Sequence, residues 1–175
     1  MRYALLMVLA AVVAAVPAMA EVVNRGESGF TVRTVVTIAQ PPDRVYDALA
    51  HVADWWDPAH TWSGDSANLR IDAKAGGCFC ETLPNGGSVE HATVMFIAPG
   101  KELRLRGALG PLQSMGVTGS LVFDLVEVSG GTQATVTYVV GGYVPGGAGV
   151  LAVPVDGVIG GQLRRLKAFV ERTGP

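Results

Sequence analysis

Apolar and polar residues alternate in short runs over most of the chain, and in two places apolar residues recur at helical spacing. Residues 30–39 read as a strand, with Val32, Thr34, Val36 and Ile38 on one face and Thr31, Arg33, Val35 and Thr37 on the other. Pro41-Pro42-Asp43 then opens a helix, because proline suits the first turn and an acidic residue favours the positive end of the helix dipole. Val45, Leu49, Val52 and Trp56 continue it as one stripe, and Pro58 ends it by holding Asp57 extended. Strands follow at 69–73, 78–83, 88–98, 101–107, 117–128 and 132–140, separated by turn signals such as Pro84-Asn85-Gly86-Gly87 and Ser129-Gly130-Gly131. Residues 21–29 read as a polar lead-in, and the glycine-rich stretch 141–149 as a mobile loop. A long helix over 150–171 closes the chain, with Val155, Ile159, Gln162, Leu166 and Phe169 on its inner stripe. Strand, helix, about six or seven antiparallel strands and a final helix make an α+β layer architecture.

The first residues follow a different pattern. Arg2 gives a positive start, residues 4–16 are apolar without a charge, Pro17 breaks the run, and Ala18-Met19-Ala20 has small residues flanking a third. This is the pattern of a secretory signal peptide, with cleavage expected after Ala20. The expected mature chain, 21–175, is one periplasmic or secreted domain, of the usual size of about 100–200 residues. The apolar run is short for a membrane anchor, which needs about 20 apolar residues, and no second run follows. No stable membrane insertion is expected after cleavage. The net charge of −2 disfavours nucleic acid as a partner, and the charged fraction of 16% is low.

Four stretches resemble one superfamily. Residues 38–49, Ile-Ala-Gln-Pro-Pro-Asp-Arg-Val-Tyr-Asp-Ala-Leu, are similar to its opening of strand, proline and x-x-V-[WY]-x-x-L. Trp55-Trp56-Asp57-Pro58 is similar to its W-W-x-P, Gly76-Gly77-Cys78-Phe79-Cys80-Glu81 to a G-G-x-F-x-E strand, and Gln162-Leu163-Arg164-Arg165-Leu166-Lys167 to an L-x-x-L-K closing helix. The chain thus resembles the START-like, or SRPBCC, superfamily of polyketide cyclases, dehydrases and lipid-transport proteins, to which the birch-pollen-allergen fold belongs. The resemblance implies a helix-grip fold, a curved sheet wrapped around the C-terminal helix with an elongated cavity between them. It implies binding of a lipid, sterol or polyketide-like molecule, and in some members cyclisation or hydration. The chaperone-activator role of the G-G-x-F-x-E branch does not suit an exported protein.

Within such a cavity, His91 is the candidate acid or base, with Glu81 or Glu90 as its carboxylate partner, because imidazole titrates near neutrality and a buried carboxylate has a raised pKa. His91 shares a strand face with Val89, Thr93, Met95 and Ile97. Trp55, Trp62 and His60 are candidate mouth residues, while Trp56 reads as core. Met95, Phe123 and Tyr138 are candidate lining from the strands, and Gly157, Gly160 and Gly161 a floor kept open under the last helix. The pattern leaves binding and catalysis both open and gives no oligomeric state. No cofactor or metal is expected, and no nucleophile or phosphate-loop motif occurs. Cys78 and Cys80 are the only cysteines and share a face. Two small buried residues, a redox pair and part of a metal site all remain open for them.

Overall fold

The computed structural model describes residues 19–174. The expected signal segment, up to residue 18, lies outside them. Ten elements position the site: β1 (Met19–Gly26), β2 (Gly29–Ile38), α1 (Pro42–Ala50), β3 (Leu69–Ile71), β4 (Cys78–Thr82), β5 (Ser88–Ala98), β6 (Glu102–Arg106), β7 (Gly116–Val128), β8 (Gly131–Tyr143) and α2 (Ala152–Thr173). The strands form one open antiparallel sheet of eight, in the order β1-β2-β8-β7-β6-β5-β4-β3. Alternation along β2 and β8 turns Val32, Val36 and Ile38, with Ala134, Val136 and Tyr138, toward the concave face, where all six are buried. The long helix α2 lies across that face and packs chiefly against β2. This is an α+β helix-grip architecture.

The eighth strand is β1, formed from the polar lead-in. It is an edge strand, so only one side is paired and polar residues are tolerated along it. It lies on β2 with Glu21 opposite Arg33 and a bulge between Val22 and Asn24. Similarly, β8 runs to Tyr143, because Gly141, Gly142 and Tyr143 still pair with Thr118, Val117 and Gly116. Glycine does not end a strand whose partner continues.

Proline occupies the first turn of α1 and Asp43 lies in that turn. The helix stops at Ala50, and a 3-10 turn, Val52–Asp54, replaces its last predicted turn. The inner stripe of α2 contains Ile159, Gln162, Leu163, Leu166 and Val170. Its far end is tied to β2: Lys167 Nζ donates to the Thr37 carbonyl (2.6 Å), and Glu171 Oε1 accepts from the Ala39 amide (3.0 Å). The fixed end and the packed stripe leave the first turns of α2 free to wall a cavity.

Candidate ligand cavity

A cavity of about 420 Å³ opens between the first turns of α2, the sheet and two loops. Leu151, Pro154, Val155, Val158 and Ile159 form its helical wall, at the spacing of one face of a helix. Phe79, His91 and Tyr138 form the sheet side. Residues 56–62 and 109–115 form the flanks, with Trp56, Trp62, Leu109, Leu112 and Met115 as the large apolar side chains.

Each flank is pinned by named bonds. The Asp57 amide donates to Gln162 Oε1 (2.9 Å) and Arg165 Nε to the Trp55 carbonyl (2.9 Å), so α2 holds the first loop. Trp56 Nε1 donates to the His60 carbonyl (3.1 Å), which folds that loop onto itself. On the other flank, the Leu109 amide donates to the Tyr138 hydroxyl (3.2 Å), which itself donates to the Gly107 carbonyl (3.0 Å). Burial pushes the Tyr138 phenol up to about 12, so it remains neutral.

At the sheet side lies a buried carboxylate–imidazole pair. Glu81 is fully buried and His91 is 6% exposed. Their contact is a 3.0 Å hydrogen bond between His91 Nε2 and Glu81 Oε2. Glu81 also accepts from the Trp62 amide (3.0 Å) and the Ser63 amide, so one carboxylate joins the first loop to the sheet. Burial acts to raise Glu81, but hydrogen bonds from Ser63, the Trp62 amide and His91 outweigh it and hold the carboxyl below its usual value. Burial holds His91 below its ordinary value, against the opposing pull of Glu81. A neutral imidazole beside an ionised carboxylate carries its proton on the bonded nitrogen, here Nε2. The Phe79 ring packs against the imidazole, centroids 5.0 Å apart and tilted by 39°.

A β-bulge aims His91 inward. Phe79 pairs with Ala92, but Cys80 pairs with Glu90, so His91 is an extra residue on β5. Gly107 passes this bulge so closely that a Cβ there would collide with the His91 carbonyl and with Ala92.

The sequence matches the family described as polyketide cyclase / dehydrase and lipid transport over residues 29–171. The chain belongs to this family. Among solved structures, protein MLL2253 from Mesorhizobium loti is similar at 18% identity and a TM-score of 0.61, covering 83% of this chain and 99% of its own. Protein NE0264 from Nitrosomonas europaea is similar at 17% identity and a TM-score of 0.59, covering 82% and 96%. CalU16 from Micromonospora echinospora reaches 14% identity and a TM-score of 0.59, covering 88% and 86%. At these identities the likeness is one of fold. No curated protein matches the sequence.

Against this family fold, the predicted site residues separate into two sets. His91, Glu81, His60, Trp62 and Tyr138 are brought together at the cavity: four of them line it and Glu81 stands directly behind His91. The others lie elsewhere. Glu90 stands on the outer face, where its carboxylate accepts from the Thr93 hydroxyl (2.7 Å), because successive strand residues point to opposite faces and His91 points inward. Met95 falls in a second β5 bulge, between Val94 and Phe96, and is 43% exposed. Trp55 is buried in the core instead of standing at the mouth, and Trp56, buried as its stripe predicts, also lines the cavity. The helix breaks at His51 before the 3-10 turn, and Trp55 Nε1 donates to the Ala48 carbonyl (2.9 Å), which holds its ring inward.

Phe123 faces inward but pairs with Val136, one inward step from the Tyr138 level, where the core is solid. Gly157, Gly160 and Gly161 do not line the cavity, since the helical wall is made by the 151–154–155–158–159 stripe. A Cβ built at Gly157 or Gly161 meets nothing within contact distance. The apolar flank at 109–115 carried no sequence signal, because it is placed by contacts between residues far apart in sequence, such as the Leu109–Tyr138 and Gln113–Glu90 hydrogen bonds.

Cys78 and Cys80 are paired as a disulfide on the face opposite Phe79 and Glu81. Their Cα atoms are 5.4 Å apart, closer than the roughly 6.6 Å that two extended steps span, which brings the side chains within reach. Among the described residues no helix is long and apolar enough to cross a membrane.

Proposed function

We propose that this protein binds a small apolar or amphipathic molecule, lipid-, sterol- or polyketide-like, in the cavity between sheet and C-terminal helix. The observation that carries this reading is the cavity of about 420 Å³, walled by aliphatic and aromatic side chains around one polar pair. Sites for small ligands have this character, roughly 300–1,000 Å³ and apolar with a few placed polar groups. Membership of a family described by cyclase, dehydrase and lipid-transport activities supports it. Native mass spectrometry of protein purified from its own host is expected to show a bound small molecule that gentle activation releases. Bare protein that also takes up no dodecanoic acid, cholesterol or 1-methylnaphthalene would overturn the proposal.

A second reading, an enzyme of cyclase or hydratase type, is favoured by the Glu81–His91 pair. A neutral imidazole backed by a carboxylate is a general base. The reading expects α-proton exchange of 2-tetralone in heavy water to be faster with the protein than with its His91→Gln variant; equal rates would remove it. We also propose export of the chain with cleavage after Ala20, which N-terminal sequencing of the mature protein tests. A mature chain that retains residues 1–20 would refute export with processing.

A further inference from the structure

Among the buried side chains that line the cavity, one hydrogen-bond acceptor is left uncommitted by the protein. His91 Nε2 is occupied by Glu81 at 3.0 Å. Glu81 has no donor of its own, so Nε2 carries the proton and Nδ1 the lone pair. Among the described residues Nδ1 has no hydrogen-bond partner, and it is not one of the sealed, unpartnered polar atoms, which are Thr34 Oγ1, Tyr46 Oη and Asp156 Oδ1. Since His91 lines the cavity, Nδ1 opens onto it.

The other polar side chains inside the chamber are committed elsewhere. The Tyr138 hydroxyl donates to the Gly107 carbonyl and accepts from the Leu109 amide. Trp56 Nε1 donates to the His60 carbonyl, and the Thr61 hydroxyl to the Pro58 carbonyl (2.8 Å). Both Glu81 oxygens are taken by the Trp62 and Ser63 amides and by His91. His60 and Trp62 stand at the mouth, with Trp62 55% exposed, so they do not reach a ligand's buried end from a dry environment.

An acceptor without a donor in an apolar chamber selects what it meets. A ligand hydroxyl satisfies it, whereas a carbonyl or ether oxygen sets lone pair against lone pair, and a methyl group leaves the nitrogen desolvated and unpaired. Resting on the binding role above, we propose that His91 Nδ1 is a specificity-determining acceptor. The cavity then takes an apolar ring system that carries one hydroxyl, an alcohol, phenol or enol, with that hydroxyl at His91. Glu81 is a positioning residue: it fixes the tautomer and the ring orientation, and makes no contact with the ligand.

The test is calorimetric titration of the full chain with 1-naphthol and 1-methylnaphthalene, which share a ring system and differ by hydroxyl against methyl. A featureless apolar pocket takes the methyl compound at least as tightly, because methyl is the more apolar group. The expected result is 1-naphthol binding about tenfold or more tightly. In parallel, nitrogen-15 spectra of histidine-labelled protein are expected to show the Nδ1 signal of His91 moving with 1-naphthol and not with 1-methylnaphthalene. This readout needs no substitution and so no variant that must fold. Equal binding of the two compounds, or an unmoved Nδ1 signal at saturation, would overturn the acceptor role and leave the binding role standing. Absence of binding by both would overturn the binding role itself.

Discussion

The Glu81 carboxylate holds three donors at once, from His91, Trp62 and Ser63, and none of them has another partner in reach. Glu81→Ala orphans the buried His91 donor, at about 1–3 kcal/mol, and releases the two loop amides, which are only part-buried. A loss of stability of about 2 kcal/mol or more is expected in chemical denaturation; a loss below about 1 kcal/mol would contradict the arrangement. The pair also sets a pH dependence. Folded His91 lies below 6.5, so the unfolded chain takes up the proton first, and stability falls as pH drops below that value. Folded Glu81 lies below 4.5, so a second loss begins as pH drops below that value. Of the neighbouring titratable groups, Tyr138 lies near 12 and is silent in this range, and His60 stands exposed at the mouth. Comparing unfolding midpoints of wild type and His91→Gln between about pH 8 and about pH 5 isolates the first loss. The difference between the two proteins is expected to shrink on acidification, and a difference independent of pH would refute it. At this scale the chemistry was legible: the residue types named His91 and Glu81. Their meeting was legible only in part, because the register of β4 on β5, with an extra residue at His91, is invisible to alternation.

At the scale of elements, the helix glycines show where composition misleads. Three glycines in a long helix suggested a floor held open for a ligand, yet a Cβ at Gly157 or Gly161 meets only open space. Their replacement therefore has no packing consequence, and intrinsic propensity decides the outcome. Gly157→Ala and Gly161→Ala are each expected to stabilise the fold by up to about 1 kcal/mol and to leave ligand affinity unchanged. Thermal unfolding and titration of the variants check this, and a destabilised or non-binding variant would return the glycines to the site. The strands were read well where pattern and turn coincide: β5 spans Ser88–Ala98, the range its alternation and flanking turns predict. They were read poorly at the edge, where β1 needs only one partner and so tolerates Glu21, Asn24 and Arg25. The inward turn of Trp55 has the same kind of cause, a break in the helix at His51 that no hydrophobic stripe records.

At the scale of the whole molecule, order and packing together produce the cavity. The strand–helix–sheet–helix order and its four motifs were enough to give the family fold, since each motif sits where that fold needs it. The cavity's outline was not legible, because it depends on long-range bonds such as Gln162 to Asp57 and Tyr138 to Leu109, which join residues far apart in sequence. Lys167 and Glu171 lock one end of α2 to β2, so an empty chamber at the other end does not collapse the helix onto the sheet. Val158 is the wall position best suited to test that chamber, being half-buried on α2 and part of its lining. The most direct measurement is calorimetric titration of wild type and Val158→Trp with 1-naphthol, with circular dichroism showing that both are folded. Binding by wild type and its loss, by about tenfold or more, when the indole fills the chamber is the expected result. Equal affinity of the two folded proteins, or no binding by the wild type, would contradict a ligand site between the sheet and the C-terminal helix.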